Sequence, residues 1–201
     1  MTPLRVIIAD DDPIIRLDVK QMLHKLGFEV VAEAEDGAVA VDLARRLEPD
    51  VVVLDVKMPV KDGIDAAREI TDEGIAPTVL LTAYSDQELI VRAQEAGVYG
   101  YLVKPFNPYL VKPFNPSHLA PAIQVARSRF ETNRQLNQEV ADLRDRIETR
   151  KLVERAKGAL MADRGLSEDE AYRRIQQQSM NARKSMREVA EAILLARGVS
   201  D

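Results

Sequence analysis

Three short apolar runs, 6–9, 51–54 and 79–81, each lead into a polar residue of the kind that metal-assisted phosphoryl chemistry uses: Asp10-Asp11-Asp12, Asp55 and Thr82. A run that is apolar on every position reads as a strand buried on both faces. A carboxylate at its carboxyl end stands where open parallel α/β sheets build their sites. If the three strands are neighbours, Asp10, Asp11 and Asp55 converge, and clustered carboxylates repel one another unless a cation shares them. The pattern therefore predicts a divalent metal at this edge.

Through residue 130, apolar runs of four to six residues alternate with amphipathic stretches of ten or more, the rhythm of βαβ units. Strands are expected near 4–9, 28–33, 50–55, 77–82 and 101–103. Helices are expected from Pro13 and over 36–46, 63–72 and 86–96, with another after the last strand. Asp12-Pro13 has the order of an N-cap followed by a first helical position. The expected fold is α/β: a flavodoxin-like, doubly wound, five-stranded parallel sheet in the order 2-1-3-4-5.

From Ser117 onward strand signals stop and the pattern is helical. Leu136, Val140, Leu143 and Ile147 are spaced by four, three and four residues, as in the seam of a short coiled coil. The same spacing also suits a helix that packs one face on its own domain, and the two readings stand level. Gly165 is expected to end this long helix, and Ser167 with Glu170 forms a capping box for the next one, over 168–178. A last helix is expected over 185–196, which makes a small all-α, three-helix unit. The organisation read is 1–130 for the α/β domain, 131–142 for a helical linker or coiled coil, and 143–201 for the helical domain.

Charge divides along the same line. Residues 1–142 carry 15 basic and 23 acidic side chains, whereas 143–200 carry 13 basic and 9 acidic. An acidic front and a basic back predict modules with different partners. The absence of cysteine excludes disulfides and thiolate metal sites, and the two histidines, His24 and His118, lie in separate helical patterns, so zinc is not expected. No apolar stretch approaches the roughly 20 residues of a membrane span, and the expected location is cytoplasmic.

The octapeptide YLVKPFNP occurs twice in tandem, at 101–108 and 109–116. Its prolines prevent both copies from forming one central strand. The segment 96–100 makes a tight lead into the first copy, which favours Lys104 over Lys112 as the site lysine.

Residues 1–130 resemble a two-component response-regulator receiver domain. The resemblance rests on Asp10 and Asp11, on Asp55 followed by Met58-Pro59 and Asp62-Gly63, on Thr82-Ala83, and on Lys104-Pro105-Phe106. It implies phosphorylation of Asp55 by a histidine kinase, with the chain acting as a phosphoacceptor rather than an enzyme. Mg²⁺ would be held by Asp10, Asp11, Asp55 and the Lys57 backbone carbonyl. Thr82 and Lys104, or alternatively Lys112, would contact the phosphoryl group. Thr82 would act as a switch with Tyr101, or alternatively Tyr109. The residue types agree with this chemistry, since a carboxylate can accept a phosphoryl group and magnesium favours oxygen donors. A phosphatase using Asp55 as a transient nucleophile is disfavoured, because the second acid expected two residues on is replaced by Lys57.

Residues 143–196 resemble the ANTAR domain of transcription antitermination regulators, through 153–161, 166–172, Ser179-Met180 and Val189-Ala190. The resemblance implies binding of structured RNA hairpins, with no DNA, and a homodimer through the linker helix. Arg155, Lys157, Arg173, Arg174, Arg183 and Lys184 would meet phosphates and Tyr172 would stack on a loop base. An alternative reading has the helical tail binding another protein and no RNA.

Overall fold

A computed structural model describes residues 2–82, 87–103 and 116–196. The chain divides into two compact units, Met1–Arg134 and Gln135–Asp201. In the first, strands β1 (Arg5–Ala9), β2 (Glu29–Ala34), β3 (Val51–Asp55), β4 (Thr78–Thr82) and β5 (Gly100–Val103) form one parallel sheet in the order β2-β1-β3-β4-β5. Helices α1 (Pro13–Lys25), α2 (Gly37–Leu47), α3 (Gly63–Asp72) and α4 (Gln87–Glu95) form the crossovers, and α5 (Pro116–Arg164) follows the last strand. The expected strand order and alternation are what the structure has.

The alternating faces of the central strands feed two cores. Val6, Ile8, Val51, Val53, Val79 and Leu81 pack against Val19 and Leu23 of α1 and Leu119, Ile123 and Ala126 of α5. Ile7, Ala9, Val52, Leu54 and Leu80 pack on the other face against Ala40, Val41, Ala44, Ile64, Ile70 and Ala93 from α2, α3 and α4. Because both faces of β3 are covered, all five of its residues are buried. This explains its unbroken apolar run and leaves its carboxyl end as the place where a polar side chain can meet solvent.

Local chemistry sets the helix starts. Asp12 accepts hydrogen bonds from the Ile14 and Ile15 amides, Asp36 from that of Val39, and Asp62 from that of Asp65, so each α-helix that carries these caps begins at its acidic residue.

In the second unit, the later part of α5 packs with α6 (Glu168–Ala182) and α7 (Met186–Ala196). Its core holds Val153, Ala156, Ala159 and Leu160 of α5, Ala171 and Ile175 of α6, and Val189, Ala190 and Leu194 of α7. Gly165, at φ 62°, ends α5, and the capping box of Ser167 and Glu170 opens α6. Earlier on α5, the spaced residues Leu136, Val140, Leu143 and Ile147 are exposed, at 54%, 46%, 49% and 55%. Packing of that stripe within its own unit is therefore not what the structure has.

Candidate functional site

The parallel register brings the acidic residues together. Ala9 pairs with Leu54, so the next residues, Asp10 and Asp55, stand side by side at the carboxyl ends of β1 and β3. Both are buried, at 4% and 7% exposure, whereas Asp11 is exposed. The Asp10 carboxylate accepts a hydrogen bond from the Asp12 amide at 3.0 Å, and that of Asp55 accepts one from the Lys57 amide at 2.8 Å. Asp55 pairs with Leu81 of β4, so Thr82 is the following residue on the neighbouring strand, itself paired with Val103 of β5. Tyr101 is half-buried and packs against the core on the α2–α4 face. Lys104, Lys112 and Tyr109, the remaining expected site residues, lie outside the described residues.

Among the described residues, no three His, Asp or Glu side chains gather closely enough to hold a metal ion among themselves. The donor set that is present, two buried carboxylates on adjacent strand ends with an exposed third beside them, is all oxygen. It suits Mg²⁺, which binds through one or two carboxylates and keeps several waters, better than an ion needing a full protein cage. A cleft of about 550 Å³ lined by Asp50, Pro77, Arg127 and Phe130 lies near the amino ends of β3 and β4, at the other edge of the sheet. It does not belong to this carboxylate site.

The loop from Val56 to Asp62 behind Asp55 is held at several points that sequence reasoning missed. Gly63, the first residue of α3, donates its amide to the Val56 carbonyl at 2.9 Å. A Cβ on Gly63 would lie 1.8 Å from the Asp55 carbonyl oxygen. Gly37, the first residue of α2, donates to the Lys61 carbonyl at 3.1 Å, and a Cβ there would lie 2.5 Å from that oxygen. Between them, Val60 takes φ 65°, sparsely populated for a β-branched residue. Such a conformation persists only where the surroundings over-determine it. Arg92 of α4 reaches Asp62 at 2.9 Å. Partial burial works to raise the Asp62 carboxyl, but the Asp65 amide and the Arg92 guanidinium outweigh it and hold it below its ordinary value. The only sequence signal for these anchors is the acid-glycine pair opening each helix, at Asp36-Gly37 and Asp62-Gly63.

In the second unit, the cations expected to meet RNA separate into two groups. Lys157 is buried, with its ammonium within 2.9 Å of Glu154 on its own helix and 2.7 Å from Glu168 at the start of α6. Hydrogen bonds to Glu168 and then Glu154 hold its pKa above the ordinary lysine value. Its expected role as an exposed phosphate contact is corrected: it ties α5 to α6. Arg155 is exposed and already has a partner. Tyr172, Arg173, Arg174, Arg183 and Lys184 are exposed on α6 and the turn after it, as a contact surface requires.

Residues 6–112 match the response regulator receiver domain, and residues 141–194 match the ANTAR domain. The transcriptional regulatory protein PdtaR of Mycobacterium tuberculosis is 50% identical over 192 residues, covering 96% of this chain and 90% of that protein. The chemotaxis protein CheY of Bacillus subtilis is 42% identical over 103 residues, 51% of this chain and 86% of that one. The signal receiver domain of the response regulator NarL from M. tuberculosis superposes with a TM-score of 0.57 at 27% identity, covering 64% of this chain and 98% of that domain. No helix among the described residues is long and apolar enough to cross a membrane. With the carboxylate edge on the first unit and the helical second unit in place, the chain belongs to the response regulators that join a receiver domain to an ANTAR domain.

Proposed function

We propose that this response regulator is phosphorylated on Asp55 by a histidine kinase, and that the phosphorylated form binds structured RNA to cause transcription antitermination. The observation that carries the reading is the buried Asp55 side by side with Asp10 at adjacent strand ends. An Asp55 carboxylate oxygen attacks the phosphorus of a phosphohistidine. The P–N bond breaks as the O–P bond forms, and the imidazole leaves with the electron pair. Asp10, Asp11, Asp55 and the Lys57 carbonyl would hold Mg²⁺, which when bound neutralises charge on the phosphoryl oxygens. Thr82 donates a hydrogen bond to one of those oxygens, and the site lysine, Lys104 or Lys112, supplies a point charge. Thr82 and Tyr101 then change arrangement together, a shift of population that the new phosphate stabilises.

Titration of a synthetic RNA carrying two hairpins, before and after treatment with acetyl phosphate and Mg²⁺, tests the reading. Phosphorylation is expected to tighten binding at least about tenfold, the order of a typical coupling free energy. Equal affinity in the two states would reject control of RNA binding. A stable complex with another protein and no RNA affinity in either state would select the protein-binding alternative.

The partner of the exposed stripe on α5 is a second copy of the chain. β-Branched Val140 and Ile147 alternate with Leu136 and Leu143, the combination that favours a two-stranded parallel coiled coil. Because Leu143 is half exposed in one chain, Leu143→Glu leaves the monomer folded. It is expected to halve the mass that light scattering reports for the phosphorylated protein. A dimer of unchanged mass would place the interface elsewhere.

A further inference from the structure

Arg16 of α1 lies outside every site role expected from the sequence, yet its guanidinium reaches the main chain of the acidic edge. Its Nη1 donates to the Asp10 carbonyl at 2.5 Å, whereas its Nε stands 3.5 Å from a carboxylate oxygen of Glu33 on β2. The carbonyl is the nearer partner, and the side chain is only 18% exposed. A pair between α1 and β2 at the surface would by itself contribute little. The helix does not favour a cation here either, because Arg16 follows directly on the first turn of α1, near the positive end of the helix dipole. What accounts for Arg16 is its contact with Asp10.

That contact falls at a position of leverage. The Asp10 carbonyl belongs to the peptide unit that joins Asp10 to Asp11, and the unit is planar. Fixing its orientation constrains ψ of Asp10 and φ of Asp11 together, and with them the directions in which the two carboxylates leave the chain. Asp10 is held at two further points: its amide donates to the Ala34 carbonyl at 3.2 Å, and its carboxylate accepts the Asp12 amide at 3.0 Å. Of these three bonds, only the one from Arg16 acts on the peptide shared with Asp11. Glu33 in turn steadies the guanidinium from the β2 side, and also accepts a hydrogen bond from Lys20, one turn further along α1.

We propose that Arg16 is a positioning residue for the metal site, which by holding the Asp10–Asp11 peptide sets both carboxylates toward a shared Mg²⁺ beside Asp55. The inference rests on the Mg²⁺-dependent phosphorylation read above and adds a residue that touches neither metal nor phosphate. Its sign separates it from a plain charge effect. By Coulomb attraction alone, removing a cation close to a dication site strengthens Mg²⁺ binding; loss of positioning weakens it.

The test compares full-length Arg16→Ala and Arg16→Gln with the control Lys20→Ala, which removes the other cation on Glu33 and leaves the Asp10 contact in place. Arg16→Gln keeps most of the aliphatic stem, so a change shared by both Arg16 variants is not lost packing. Circular dichroism and urea midpoints check folding. Mg²⁺ is titrated while the amide NMR signals of Asp10, Asp11 and Asp55 are followed, and the rate of phosphorylation by acetyl phosphate is measured over the same Mg²⁺ range. Both Arg16 variants are expected to need at least about tenfold more Mg²⁺ for half-saturation in both measurements, with the rate at saturating Mg²⁺ within about twofold of the unsubstituted protein. Lys20→Ala should titrate as the unsubstituted protein does. Folded Arg16 variants whose Mg²⁺ midpoint is unchanged or lower overturn the proposal and leave phosphorylation of Asp55 standing. If the unsubstituted protein shows no Mg²⁺-dependent shift at these amides and takes up no phosphate, the function reading fails and the role of Arg16 with it.

Discussion

Asp55→Asn is expected to lower phosphate incorporation from acetyl phosphate in Mg²⁺ by at least about a hundredfold, to below detection by intact-mass spectrometry. An amide oxygen is a poor nucleophile toward phosphorus and cannot give a stable acyl phosphate, so the covalent step is lost rather than slowed. Folding should survive. The asparagine carbonyl can still accept the Lys57 amide that the carboxylate accepts at 2.8 Å, and the change in volume at this buried position is small. Thermal melting within a few degrees of the parent protein would confirm that chemistry alone was removed. An undiminished phosphate adduct in this variant would mean that another residue accepts the phosphoryl group.

A second large effect is expected at a position with no titratable group. Gly63→Ala places a Cβ 1.8 Å from the Asp55 carbonyl oxygen and 2.8 Å from its carbonyl carbon. Both are backbone atoms, so no rotamer change relieves the clash. Either α3 moves off the sheet or the end of β3 is displaced. The loss of stability should exceed about 3 kcal/mol, beyond the usual range for one added methyl group in a packed core. Whatever protein remains folded should phosphorylate slowly, because the peptide carrying Asp55 is the one displaced. Gly158→Ala is the matched control. Its Cβ meets nothing within 4 Å, and alanine in a helix interior favours stability by up to about 1 kcal/mol over glycine. Urea denaturation of both variants checks the pair, and equal midpoints would refute the close-approach account of Gly63.

How far the sequence could be read depended on the range of the interaction concerned. The caps at Asp12 and Ser167 were legible because a side chain reaching its own backbone two or three residues on is a local event. The strand order was legible because short fully apolar runs joined by amphipathic helices leave few right-handed parallel arrangements. Lys157 was misread because its partner Glu168 comes within reach only after α6 folds back on α5, eleven residues later. The clamp of Gly37 on Lys61 was invisible for the same reason, being a contact between two helix starts that only the finished sheet makes neighbours.

The sequence by itself determined a five-stranded receiver followed by a helical ANTAR unit, because periodicity, capping and strand-end acids are all written within a few residues of one another. The tertiary structure alone decided the rest. Parallel register set Asp10 beside Asp55, packing brought glycines against the loop behind Asp55, and the fold of α6 onto α5 tied Lys157 to Glu154 and Glu168. Each of these is a relation between residues far apart in the chain, and it exists only once burial of the apolar faces has fixed where their backbones lie.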